Sequence, residues 1–344
     1  MGILGAALDS ADKNNWAVIH RSSPKAKEYY CRLQSNSARR DGQLPEGELL
    51  TATARGTLLR HEGLVVGDRV RLEASDGDQG WVIVEVAPRT SEIHRIIVRE
   101  AKRKVTAANC DLIIILTSVS QPNFKRGIID RFLVRAIQWD IHPIVIFNKM
   151  DLYDPTAVDL TFERERLLQL GVECFEISAT DPSLGPKILT QGIEDLEKYI
   201  DGKSALLLGQ SGVGKSRTIM ALSRGRVNLK SRRVGKQGKG KHSTSWSEIV
   251  DCDRFSLIDS PGIRSLSLDD IDPLELISYF PDVEQVAVTC RFKDCQHRPV
   301  DQGCSFYHDS SGSTGELLLS RLISYQQIFE ECSKIPFWQR KNKK

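Results

Sequence analysis

No apolar run in this chain is long enough to span a bilayer; the longest strongly apolar stretches, such as LIIIL at 112–116, are strand-sized. Charge of one sign is also scarce. Lys and Arg number 48 against 45 Asp and Glu, a net of +3, so no whole-protein electrostatic argument for nucleic acid applies and any such case must rest on local clusters. Eight cysteines in 344 residues, four of them scattered, do not make a secreted disulfide scaffold. The opening MGILGAALDSADK has no basic segment and too short an apolar stretch for a secretory signal. Position 6 is Ala where a myristoylation signal calls for Ser or Thr. Internal repeats and low-complexity tracts are lacking as well. These absences lead to the expectation of a soluble, cytoplasmic protein with no membrane partner; a monomer is expected on separate grounds.

What is present falls into blocks. Residues 1–15 read as a flexible tail. From 16 to 98, short runs such as WAVIH, YYCRL, GTLLR, VVGDRVRLEA and GWVIVEVAP are broken by Gly and Asp, the pattern of a small β-barrel, with the OB type foremost. The basic stretch HRIIVREAKRK is a connector. Within 99–268 the pattern changes to near-continuous apolar runs (CDLIIILTS, HPIVIFNK, VECFEISA, SALLLGQ, FSLIDSPG) separated by helix-length segments. Strands covered on both faces of a parallel sheet read this way, and such sheets bind ligands at the strand ends. Residues 269–344 are helical and Cys-rich and close on a basic tail, WQRKNKK.

LLLGQSGVGKS carries Gly209, four residues, then Gly214, Lys215 and Ser216, directly after a strand-like run. Glycines there let backbone amides converge on phosphate oxygens at a helix start, where the helix dipole favours an anion. The expected phosphate cradle is Gly209, Ser211, Gly212, Val213, Gly214, Lys215, Ser216 and Arg217. Lys215 would reach the β- and γ-phosphates, and the Ser216 hydroxyl would ligate Mg²⁺. A phosphate loop alone names no base.

FNKMD supplies a base reader. The Asp151 carboxylate can accept from N1–H and the 2-amino group of guanine; adenine lacks both, and leaving that acid unpaired is a strong discriminator. Asn148 would hold the N7 side and brace the loop, with the Lys149 stem over the ring. Ser178 and Ala179 in EISATD follow another strand, and the Ala179 amide could reach guanine O6. In FSLIDSPG, Asp259 would hold Mg²⁺ through water, and the Gly262 amide would sense the γ-phosphate. Each signal is weak or moderate alone, and each sits at the end of a strand.

In common GTPases the phosphate loop comes first and the base reader last. Here the order is NKMD, SAT, GQSGVGKS, KHSTS, DSPG, a circular permutation. With a barrel in front and a Cys/His cluster behind, the chain resembles the RsgA family of ribosome-small-subunit-dependent GTPases over residues 16–335. The resemblance implies an α/β circularly permuted P-loop GTPase domain between an OB-type barrel and a zinc-binding helical domain. It also implies GTP and GDP as ligands, and the small ribosomal subunit and its rRNA as partners.

Ile263 stands where many GTPases place the Gln that orients the attacking water. The resemblance implies a family that shares this substitution and works slowly alone. His242 is then the best water-positioning candidate, and Thr244 the choice for the second Mg²⁺ ligand, with Ser243 the alternative. Between Arg224 and Lys241, eight Lys or Arg occur with no acid. Such runs are often merely solvated loops, but this one leads into the switch residues, and salt-sensitive RNA docking is expected of it. CRFKDCQHRPVDQGC sets Cys290, Cys295, His297 and Cys304 within fifteen residues, a donor set suited to one closed, structural Zn²⁺, with His308 a spare. The reading is a GTPase acting in late assembly or maturation of the small subunit. Its rival is an RNA-binding module using GTP as a structural ligand or switch on a different RNA. A P-loop kinase is a second rival, opposed by the guanine reader.

Overall fold

The computed structural model describes residues 15–23, 28–34, 49–56, 58, 63–75, 80–97, 102–225, 247–252, 254–259, 268, 270–308 and 315–334. The tail before residue 15, most of the basic segment, His242, Ser243, Thr244, Gly262, Ile263 and the basic C-terminal stretch lie outside them.

Five strands form the first body: β1 Trp16–Ser23, β2 Glu28–Leu33, β3 Leu50–Ala54, β4 Arg69–Ala74 and β5 Trp81–Val86. They pair in the order β1-β2-β3-β5-β4, and β4 returns to β1, closing a barrel in which only β3 and β5 run parallel. This is the OB arrangement expected from the sequence. Alternation makes it possible: Ala17, Ile19, Tyr29, Cys31, Ala52, Leu72 and Ile83 point inward and fill the interior, and apart from His20, buried where β1 bulges, their strand neighbours are more exposed. Next comes a separate two-stranded hairpin, β6 Glu92–Ile97 and β7 Lys102–Ala108.

The second body is a sheet of β8 Leu112–Ser118, β9 Pro143–Asn148, β10 Glu173–Glu176, β11 Ser204–Leu208, β12 Ser247–Asp251 and β13 Ser256–Asp259. Its order is β10-β9-β8-β11-β13-β12; every pair is parallel except β12 with β13. All seven residues of β8 are buried. Ile113 and Ile115 enter one core, and Leu112, Ile114 and Leu116 enter the other. Helices α1 Arg126–Trp139 and α2 Leu160–Leu168 cover the first face; α3 Ile193–Ile200 and α4 Lys215–Leu222 cover the second. The apolar runs are thus continuous because neither face of the sheet meets water.

Beyond β13 the chain forms a helical body: a 3₁₀ turn Leu276–Tyr279, α5 Pro281–Ala287, α6 Ser305–His308 and α7 Glu316–Ser333. Its core of Leu276, Phe280, Val283, Phe306, Leu322 and Ile328 also takes in Val134 of α1. The barrel meets the central sheet at its edge, where β1 pairs with β12 through Arg21↔Glu248 and Ser22↔Ser247. Eleven strands therefore run as one sheet. Among the described residues, no helix is long and apolar enough to cross a membrane.

Candidate functional site

The parallel strands β9, β8 and β11 end side by side, and the sequence-derived nucleotide residues sit at or just past those ends. After β11 the chain turns through Gly209, Gly212 and Gly214 into α4, with Lys215 as the first helical residue. Two of these glycines are required by space as well as by backbone angle. At Gly209 (φ 158°) a methyl would lie 2.5 Å from the Leu116 carbonyl oxygen of β8, and at Gly214 (φ 104°) it would lie 2.4 Å from the Asn148 amide nitrogen. The Lys215 ammonium folds back over the loop, donating to the Gly209 and Gln210 carbonyls at 2.6 and 2.8 Å. It is therefore held above the space that the loop encloses. A cavity of about 690 Å³ opens there; Lys149, Gly209, Ser211, Gly212, Gly214, Lys215, Ser216 and Arg217 form part of its lining, and Phe132, Leu207, Ile219, Val250 and Ile258 are among its apolar walls. Val213 is buried below it, and Arg217 is exposed at its rim.

Asn148 ends β9 and is almost fully buried, 1% exposed. Its side-chain nitrogen donates to the Val213 carbonyl of the phosphate loop at 2.8 Å, and its oxygen accepts from the Ala179 amide at 3.1 Å. One amide thus ties together three pieces that are far apart in the chain, leaving neither of its polar atoms unpaired in the interior. Lys149 adopts a left-handed backbone (φ 68°) and donates to the Gln121 carbonyl, which lays its stem along the cavity. Asp151 is exposed and accepts a 2.6 Å bond from the buried Ser178 hydroxyl. That bond orients the carboxylate while leaving it open to solvent and to a ligand.

Glu176, the last residue of β10, was not singled out by sequence reading. It is buried, and its carboxylate accepts from the amides of Lys187, Ile188 and Leu189 at 2.6, 2.9 and 2.5 Å. The Lys187 ammonium in turn donates to the Met150 carbonyl at 2.9 Å. Together they fix the segment after β10 against the turn that follows β9. A glutamate inside VECFEISA was the available signal, since an acid in a buried strand needs partners. Asp259 ends β13, whose neighbour in the sheet is the phosphate-loop strand β11.

Cys290, Cys295, His297 and Cys304 form a second cluster, their ligand atoms all within 4.8 Å of one another. His297 Nδ1 lies 3.5 Å from Cys290 Sγ and 4.0 Å from Cys304 Sγ. Tetrahedral Zn²⁺ with Zn–S near 2.3 Å and Zn–N near 2.0 Å places its donors roughly 3.5–3.8 Å apart, so this donor set fits. Amides prepare the sulfurs for negative charge: His297 N donates to Cys295 Sγ and Ser305 N to Cys290 Sγ, both at 3.4 Å. The ring is held by an edge-on contact with Phe306, and the His297 carbonyl accepts from Gln326 of α7 at 2.7 Å. Burial pushes the Cys304 thiol up to about 12, so its thiolate is a form that a bound cation would stabilise. The side chain of His308, the spare candidate, lies outside the described residues.

Comparison with known proteins follows the same lines. Residues 86–269 match the family model described as RsgA GTPase. A protein of Variovorax paradoxus (strain S110), named small ribosomal subunit biogenesis GTPase RsgA, is 34% identical over 304 residues, 85% of this chain and 88% of that one. The identically named protein of Thermotoga petrophila is 33% identical over 288 residues, 83% of this chain and 90% of that one. Among solved structures, YjeQ from Thermotoga maritima superposes with a TM-score of 0.67 at 25% identity, covering 93% of this chain and 99% of its own. YloQ, described as a circularly permuted GTPase, gives 0.62 at 23% identity, covering 92% and 94%.

Proposed function

This chain belongs to the RsgA GTPase family, and from that premise we propose that it binds the small ribosomal subunit and its rRNA in the cytoplasm and hydrolyses GTP there during late maturation. As a member of that family it is a GTPase, and hydrolysis of GTP to GDP and phosphate is its reaction.

The observation that carries the reading is the pair of bonds made by Asn148, to Val213 and to the Ala179 amide. They bring a base reader that comes early in the chain against a phosphate loop that comes late. In this reading Asp151 takes the two guanine donors, the Lys149 stem covers the ring, and the Ala179 amide exchanges Asn148 for guanine O6. The phosphate oxygens face the amides from Ser211 to Arg217, with Lys215 neutralising charge that develops on the leaving phosphate. Ser216, Thr244 and Asp259 are the residues that would hold Mg²⁺, which would supply positive charge against the phosphates. His242 positions the attacking water, and the Gly262 amide senses the γ-phosphate. Cys290, Cys295, His297 and Cys304 hold one structural Zn²⁺. The chain divides functionally after residues 15, 98 and 268, and it acts as a monomer.

GTP turnover by the purified protein, with and without small ribosomal subunits, tests this directly, with large subunits and ATP as controls. Stimulation by small subunits alone is expected. Equal, low turnover in every mixture with GTP still bound would favour a structural role for the nucleotide.

A further inference from the structure

Asp270 follows Asp259 by eleven residues and is one of the few buried carboxylates among the described residues, 3% exposed. Both of its oxygens accept from the Arg135 guanidinium of α1, at 2.6 and 3.1 Å, and one also accepts from the Ile96 amide of β6 at 3.1 Å. Burial works against its charge, but the bonds and charge of Arg135 outweigh that and hold the carboxyl below the usual range. One turn further along α1, Trp139 donates to the His94 carbonyl of the same strand at 2.9 Å. On either side of Asp270, Leu268 and Ile271 are packed into the C-terminal core together with Val134 of α1.

A single carboxylate therefore joins three things: the helix between β8 and the base-reading strand β9, the hairpin that leads out of the barrel, and the chain downstream of the second switch motif. A two-pronged, desolvated pair of this kind is close to all-or-none. Displacement by an ångström breaks charge-assisted bonds that no water replaces.

We propose that Asp270, gripped by Arg135, is a positioning residue of the GTPase: it couples the chain beyond the second switch motif to the β6–β7 hairpin, so that nucleotide state and hairpin position bias each other. The inference rests on the reading of Asp259 to Gly262 as the second switch. Coupling of this kind is reciprocal: whatever the bound nucleotide does to the hairpin, a partner seated on the hairpin or barrel does to the nucleotide site.

The test is amide hydrogen exchange across β6 in the full-length protein, with GDP and with a non-hydrolysable GTP analogue. Exchange at Ile96 and its neighbours should differ between the two by about tenfold, within the usual range of coupling between sites. The difference should vanish in Asp270→Asn. In the same variant, small-subunit-stimulated turnover should fall by about tenfold while turnover without subunits stays within about twofold. Identical β6 exchange with both nucleotides in the unaltered protein would overturn the proposal, and so would a variant that kept the full difference. Should Asp270→Asn fail to fold, Arg135→Lys preserves the charge but loses the fork and should weaken the difference. If small subunits do not stimulate the unaltered protein, the ribosomal reading fails, while the exchange experiment still decides the coupling.

Discussion

The central sheet is joined to its two neighbours by different physics. On the C-terminal side the joint is a shared core with buried charge inside it. Asp130 of α1 has no exposure and is paired with Arg166 of α2 at 2.7 Å and with Arg321 of α7 at 2.6 Å; Arg321 also reaches Asp282 of α5 at 2.9 Å. Burial alone would raise the Asp130 carboxyl, yet the two arginines hold it below the ordinary range. On the barrel side the joint is a strand edge two residue pairs long, flanked by Arg21–Glu248 and Arg32–Asp251, together with bonds from the end of β7 to the turn before β4: Ala108 N to Val66 O at 2.9 Å and Asn109 Nδ2 to Gly67 O at 2.8 Å. Arg21 keeps 39% of its side-chain exposure in that pair. A joint made of core and desolvated ions fails all at once; one made of a few backbone pairs and half-wet ions yields by degrees. The C-terminal helices are thus tied to α1 and α2 through buried charge, and the barrel to β12 through backbone pairs and partly exposed ions.

The sharpest way to break the stronger joint is through the cluster that shapes its helices. Cys304→Ser should bring zinc content from one per chain to near zero and expose residues beyond 270 to proteolysis. Structural zinc contributes about 10 kcal/mol or more in small domains, so this is the largest loss expected. Asp130→Ala comes next. It would strand two buried guanidinium groups, at a cost of about 3–5 kcal/mol, read as a drop of about 10 °C in Tm.

The barrel side is tested by acid. Burial, only partly opposed by the charge of Asp251, lowers the His20 pKa to about 4 from 6.5. The folded state then binds fewer protons than the unfolded one between those values. Stability is complete above pH 6.5 and is lost progressively as pH falls toward 4, by about 1–3 kcal/mol. Thermal melts of the intact protein against His20→Gln over that window should show the slope and its disappearance. Arg21→Ala should have the smallest effect, about 1 kcal/mol, because the Arg21 end of its ion pair stays 39% exposed. A loss as large as that of Asp130→Ala would mean that the two joints are alike after all.

Much of this was legible in the sequence, for reasons that can be named. The Cys/His cluster lies within fifteen residues, so spacing alone brings its donors together. The phosphate loop is equally local, and its glycines declare themselves through the space that Leu116 and Asn148 deny to a methyl. The strands of the central sheet showed because both faces are covered. What did not show was pairing at long range. Nothing in a helix sequence reveals that Arg135 meets Asp270, that Asp130 receives Arg166 and Arg321, or that β1 lies against β12. Such partners are chosen by tertiary packing, and a charged residue reads the same whether it will be solvated or buried. His242, Thr244 and Gly262 fall outside the described residues and stay as sequence assignments.

The chain order has a consequence in time. Asn148 leaves the translating ribosome 61 residues before Gly209, and its side-chain nitrogen has no Val213 carbonyl to meet until the phosphate loop follows. Chains fold from the N-terminus as they are made. For the interval in which the base-reading half is out and the loop is not, guanine nucleotide has nothing complete to bind and cannot act as a folding ligand. The barrel, whose five strands close on themselves, is free to fold during that wait; its seam with β12 can form only once the central sheet is nearly finished.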